Sequence, residues 1–349
     1  MGVVLNASGS FVLAKKTLAE KARKALFKIK SSISGYNFSP KTCLNLFDAL
    51  VKPICLYGSE IWGAEKHINP KKLDPIENIF EKFIDKQPAE KLDISFCKFI
   101  LGLHSKACNM AVRGELGRFP TYIEIARNVF QYYKHLSSDL IVSKNVLLNS
   151  CLYESKSLDH ENVFSWFTYV RQMSTLLGKD PLNVERSDIE CRFSDHWSKS
   201  FVGRYKLGDE GKFTNLVKFK EKFHYEKYLD DIRNRKQRIV FSRLRLSCHK
   251  LKIETGRYQK PIVPRNQRVC EFCSKQDNYT NDTYIDDELH FLICCQKFYT
   301  QRKDLLEKIY SLFPSTKQLS EDNLFKFLMS SEGNLSVMIS KFCLENLQV

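Results

Sequence analysis

The feature that most constrains this chain is a set of soft metal donors near its C-terminal end. Cys270-Glu271-Phe272-Cys273 is followed by Glu288-Leu289-His290-Phe291-Leu292-Ile293-Cys294-Cys295. The array reads C-x2-C-x16-H-x3/4-C. A C-x2-C turn lets two thiolates face one ion, and a His and a Cys about one helical turn apart supply the other two ligands. The expected site is a structural Zn2+ ion held by Cys270, Cys273, His290 and a fourth thiolate. Cys295 fits H-x4-C and is favoured; Cys294 fits H-x3-C and stays open as an alternate ligand. Four protein ligands leave no open coordination position for catalysis. Such an ion contributes on the order of 10 kcal/mol to folding a segment too small to fold alone. The competing reading makes the cysteines ordinary loop residues and Phe291, Leu292 and Ile293 a core helix. The intervening loop carries Asp277, Asn278, Asp282, Asp286, Asp287 and Glu288, so it can be solvated outside the site.

The segment before this array is intensely basic. Residues 233–268 hold twelve Lys or Arg against one acid, Glu254, within a chain of net charge +15. Charge this dense repels itself unless a polyanion shares it, which points to RNA or DNA as partner. The candidate phosphate contacts are Arg233, Arg235, Lys236, Arg238, Arg243, Arg245, Lys250, Lys252 and Arg257. A merely solvated face is the plain alternative. The interleaved Ile239, Val240, Phe241, Leu244, Leu246, Leu251 and Ile253 argue for folded helix instead of a tail. At 349 residues with 43% apolar content the chain can form two or three domains with real cores. Its start lacks a secretory signal pattern, so the twelve Cys are read as reduced and intracellular, most of them buried small apolar residues such as Cys43, Cys55, Cys97 and Cys343. No apolar run reaches membrane-span length, and Asn6 stands where a myristoylation signal needs Ser or Thr. Membrane attachment and a small-molecule substrate are not expected. Nucleus and cytoplasm stay undecided, because Arg233–Arg238 fits an import signal and a nucleic-acid face alike.

The apolar spacing is mainly helical. Leu18, Ala22, Ala25, Leu26 and Ile29 share one face of a helix over 14–30. Ser39-Pro40 opens a helix with Leu44, Phe47, Leu50, Val51 and Ile54 inward, and Asp74-Pro75 opens another with Ile76, Ile79, Phe80 and Phe83 inward. Thr121-x-x-Glu124 reads as a capping box. Further helices are expected near 140–151, 161–177 and 187–200, then a broken basic helix over 215–247, then helices at 299–312 and 321–347. The expected organisation is a thumb-like helical region over 1–140, a helical connector over 141–225, and over 226–349 the basic helix, a small zinc-knuckle-like module and C-terminal helices.

Several ordered motifs resemble one family. Leu244-Arg245-Leu246-Ser247-Cys248-His249 through Gly256-Arg257-Tyr258, then Arg268-x-Cys270-x2-Cys273, then Asp287-Glu288-x-His290 through Cys295 to Tyr299 and Arg302, is similar to the C-terminal end of LINE-type (non-LTR) retrotransposon reverse transcriptases. Phe47-Asp48 through Pro53, Tyr57-Gly58, Glu60 and Trp62-Gly63 resembles the thumb that follows the palm in those proteins. Phe99–Gly102 and Glu115-Leu116-Gly117-Arg118-Phe119-Pro120 do so too. The resemblance covers most of the chain and is least distinctive over 140–225. It implies a part that grips template–primer, element RNA or target DNA while a palm-bearing chain does the chemistry. The palm's paired carboxylates, which hold two Mg2+ ions, have no counterpart here, so this chain alone is not expected to be an enzyme. Tyr228-Leu229-Asp230-Asp231 and Tyr284-Ile285-Asp286-Asp287 imitate the palm signature. The first sits in a charged helical run and the second inside the metal loop. Gly114–Gly117 is too short for a phosphate loop and reads as a helix-to-turn element. Trp62 is expected in the core; Tyr57, His249 and Tyr258 are candidates for base stacking, Tyr258 equally for packing on the metal module. The alternative to nucleic-acid binding is a degenerate retroelement-derived structural or protein-interaction protein.

Overall fold

The structure, a computed structural model, describes residues 2–4, 6, 10–65, 79–138, 145–203, 212–275 and 285–347. Among these the chain is mainly α. The β features are two isolated antiparallel bridges, Leu116–Tyr225 and Val269–Ile285. No described helix is long and apolar enough to cross a membrane. The chain forms two compact units that interleave in sequence. One comprises Met1–Ser34, Leu44–Phe96 and Arg118–Trp197; the other comprises Gly35–Cys43, Cys97–Gly117 and Ser198–Val349. A cut at 140 or at 225 does not separate them.

The first unit follows its apolar periodicity. Helix Val12–Ser34 buries Ala14, Leu18, Ala22, Leu26, Ile29 and Ile33, a stripe recurring every three or four residues. Leu50, expected inward, is exposed, while Phe47 and Val51 are buried. Ile79 and Phe80 are buried as expected, but they lie in a wide π-type turn, Ile79–Phe83. Asp74-Pro75 and Ile76 lie outside the described residues. Helix Thr121–Leu136 does not start with a capping box. Glu90 from helix Pro88–Ile100 accepts the Thr121 N–H at 2.9 Å and the Thr121 hydroxyl, and Glu124 instead pairs with Arg127 and Arg186. A carboxylate at the helix start satisfies the same orphan donor from a distance in sequence. Arg118 forks onto Asp48 at 2.6 and 2.8 Å and also donates to Asp93. Trp62 is buried and donates its indole N–H to the Tyr57 carbonyl. The expected middle helices appear as Val146–His160, Trp166–Leu177 and Arg186–His196.

The second unit is organised around a buried arginine. The expected basic helix over 215–247 is shorter than its charge run suggests. Single turns at Leu216–Phe219 and Tyr228–Asp231 precede one true helix, Arg235–Arg245, whose start is capped by the Asn234 side chain. The chain between the turns is diverted to bridge Leu116. Gly117 there has φ of +53°, and a Cβ on it would stand 2.5 Å from the Tyr225 nitrogen, so only glycine fits. Arg245 is 2% exposed. It pairs with Glu115, with Glu226 at 2.9 Å, and donates to the Met329 carbonyl at the end of helix Glu321–Met329. The rings of Phe219 and Tyr228 lie 4.7 and 4.8 Å from its guanidinium carbon. Burial opposes the charge, but the carboxylates outweigh it and raise the Arg245 pKa above the ordinary arginine value. The C-terminal expectation holds with one change. Tyr299–Leu312 is a single helix, whereas 321–347 breaks into Glu321–Met329 and Gly333–Asn346, Gly333 taking φ of +62°.

Removing one partner of a buried ion pair strands the other charge, at a cost of about 3–5 kcal/mol. Urea unfolding of Arg245→Ala is expected to show a loss of that size. Arg233→Ala, at an exposed position, should change stability by no more than about 0.5 kcal/mol.

Candidate metal centre and basic surface

The four sequence-derived ligands converge. Cys270, Cys273, His290 and Cys295 are all buried, and their donor atoms lie within 4.8 Å of one another, so the group could hold a metal ion. The Cys295 sulfur is 3.8 Å from each of the Cys270 and Cys273 sulfurs. That is far beyond the ~2.05 Å of a disulfide.

Local backbone geometry explains why these four meet. The Ser274 N–H donates to the Cys270 carbonyl, curling the C-x2-C segment into a turn that continues as Cys273–Lys275. The bridge between Val269 and Ile285 brings the second half of the site alongside. Asp287 accepts the His290 N–H at 2.9 Å and starts the next turn. That turn, His290–Cys294, is π-type, closed by the Cys295 N–H on the His290 carbonyl. In an α-helix residue i+4 shares the face of residue i; widening to i+5 selects Cys295 over Cys294. Cys294 points elsewhere, 3.4 Å from a Glu321 carboxylate oxygen. Arg302 donates to the Cys295 carbonyl, and Phe298 packs on the sulfur cluster. Phe291 is buried against Phe298 and Phe342, so the apolar residues between His290 and Cys294 do join the core, alongside a converged donor set.

Protonation within the cluster is uneven. The hydrogen bond with Cys295 brings the Cys270 thiol down to about 3, against burial and with help from His290. The same bond, with burial, pushes Cys295 up; burial pushes Cys273 up. Thiols bind a metal ion as thiolates, so an ion held by these sulfurs would displace their protons.

A second buried network ties this centre to the basic segment. Glu288 accepts hydrogen bonds from Ser247 at 2.8 Å, His249 Nε2 at 2.8 Å and Asn215 at 2.7 Å. Burial raises its pKa, but His249 and Asn215 outweigh burial and hold it at about 2. His249 Nδ1 accepts the Leu251 N–H, so its ring is locked inside and is not available for base stacking. The two palm-like acid pairs serve the backbone and a phenol. Asp286 accepts the Lys252 N–H, Asp231 the Gly333 N–H, and Asp230 the Tyr225 hydroxyl.

The nine basic candidates separate into two groups. Arg245 is spent on Glu115 and Glu226. Arg238 is also buried, donating to the carbonyls of Ile232 and Phe38 at 2.8 and 2.9 Å. Neither can reach a phosphate, which corrects both assignments. Arg233, Lys236 and Lys250 are exposed; Arg235, Arg243, Lys252 and Arg257 are half-buried. Arg243 donates its Nε to the Gly102 carbonyl, Arg235 lies over the Phe99 ring, Lys252 pairs with Glu271 and Arg257 lies 3.4 Å from Glu254. Tyr258 is 64% exposed, and Lys212 sits beside its ring. Three residues outside the sequence-based selection stand next to the centre: exposed Phe272, Lys275 and Lys297. The middle of a C-x2-C turn must face outward when both cysteines face inward, and that signal would have found Phe272.

Comparison with family models, with curated proteins and with solved structures finds no match for this chain.

Because thiolate ligands must lose their protons, ion binding releases protons and weakens as pH falls. Elemental analysis of the purified protein should find one metal ion per chain at neutral pH, released on acidification. Cys273→Ser and His290→Ala should lose it, while Cys294→Ser retains it.

Proposed function

We propose that this chain is a metal-stapled, non-catalytic nucleic-acid-gripping part, of the kind its resemblance to the C-terminal region of LINE-type reverse transcriptases implies. Zinc is the proposed ion. A tetrahedron with metal–sulfur bonds of about 2.3 Å has sulfur–sulfur edges near ~3.8 Å, and both measured separations are 3.8 Å. Three sulfurs and one imidazole form a closed structural set, with zinc as their usual ion.

The observation that carries the reading is the junction of this centre with the basic segment. The Glu288 network fixes the metal turn to Ser247 and His249, directly after helix Arg235–Arg245. Along the basic segment that leads into this junction Arg233, Lys236 and Lys250 are exposed, with Arg235, Arg243, Lys252 and Arg257 partly accessible. Phosphate contacts of this kind give affinity without much sequence preference. In this reading polymerase chemistry belongs to a separate palm-bearing chain.

Duplex DNA or RNA should bind with a steep salt dependence. Arg233→Ala and Lys236→Ala should each flatten the log–log slope by about 0.9 on duplex DNA. Fluorescence anisotropy at several salt concentrations reads this directly. Absence of binding, or protein partners that survive nuclease treatment in a pull-down, would favour an interaction role instead.

A further inference from the structure

Beside the metal centre lies a cleft of about 670 Å3, within the ~300–1,000 Å3 span of small-ligand sites. Its lining contains Lys250, Lys275 and Lys297. No described carboxylate forms an ion pair with any of these three. The two acids in the lining are already engaged: Glu271 pairs with Lys252, and Asp286 holds the Lys252 N–H. Among the described residues, then, the cleft presents three ammonium groups without a carboxylate ion pair. It also contains two phenyl rings. Phe272 is 45% exposed at the tip of the C-x2-C turn, and Phe298 carries the Lys297 ammonium 5.3 Å from its ring centre.

A large ring left partly in water forgoes stabilisation that burial would give it. Nothing in the turn requires an aromatic residue there, since Phe272 contributes no metal ligand. A ring flanked by ammonium groups is the arrangement that stacks an unpaired base while the lysines neutralise neighbouring phosphates. In a duplex the base faces are covered by their neighbours, so such a ring has nothing to stack on. We propose that this cleft binds single-stranded nucleic acid, with a base on Phe272 and the phosphodiester backbone along Lys250, Lys275 and Lys297. The site shares Lys250 with the proposed basic surface but not Arg233 or Lys236, and it rests on the same nucleic-acid-binding reading. Cys270 and Cys295 both line it, so the metal cluster also sets the spacing of its walls.

The test uses the full chain with its metal and a fluorescent 12-nucleotide single strand of one base type, against a duplex of equal length. Phe272→Ala should weaken single-strand binding about tenfold with the salt slope unchanged, and should leave duplex binding as it was. Lys275→Gln and Lys297→Gln should each flatten the single-strand slope by about 0.7. Metal content checked in every variant shows that the module is intact. Single-strand binding indifferent to all three changes, with duplex binding present, overturns the cleft and leaves the basic surface standing. Equal weakening of duplex by Phe272→Ala overturns the stacking role. Competition by a free nucleoside triphosphate as strong as by the oligonucleotide would show a small-molecule phosphate site and overturn the proposal. No binding of either nucleic acid by the parent protein overturns the underlying reading as well.

Discussion

From Leu246 to Phe298 no described element is longer than a five-residue turn. A stretch with so little regular structure cannot hold its shape through backbone hydrogen bonds alone. Its conformation depends on the convergence of Cys270, Cys273, His290 and Cys295, buried donors drawn from two turns that are distant in sequence. The turn types follow from that demand. A tight turn spaces the first two sulfurs, and a wide π turn brings Cys295 beneath His290. Glu288, two residues before His290, then fastens the centre to Ser247 and His249. The segment carrying the four donors is thus joined through a buried carboxylate to the chain just after helix Arg235–Arg245.

That helix shows how one residue type takes two fates. Arg238 and Arg245 are seven residues apart, two helical turns, and share a buried stripe with Phe241 and Leu244. Both guanidiniums satisfy internal acceptors, and Arg245 links Glu115, Glu226 and the end of helix Glu321–Met329. Lys236 falls off the stripe and Arg233 precedes the helix; both stay in water. The dense positive charge of this segment is therefore partly structural, with the remainder on the surface. A buried arginine and an exposed one can thus stand a few residues apart in the same charge run.

Much of this was legible before the fold was known. The apolar spacing located helix Val12–Ser34 and helix Tyr299–Leu312, and ligand spacing selected the four donors. What escaped shares a physical cause: long-range partners. Thr121 and Glu124 match a capping box, yet Glu90, thirty-one residues earlier, caps the helix. The basic run over 215–247 has helical composition, but irregular chain over 220–226, bridged to Leu116 at Tyr225, interrupts it. Treating charge as a marker of surface hid the burial of Arg238 and Arg245, although their seven-residue spacing with Phe241 between them carried the hint. Asp48 and Arg118, seventy residues apart in two separate motifs, meet as an ion pair.

The central claim is that one ion organises the C-terminal module through three sulfurs and one imidazole. Zinc K-edge X-ray absorption on the purified chain tests it most directly. The account predicts three sulfur neighbours at about 2.3 Å and one nitrogen at about 2.0–2.1 Å. A folded protein without bound zinc, or a coordination shell of oxygen and nitrogen only, would contradict it.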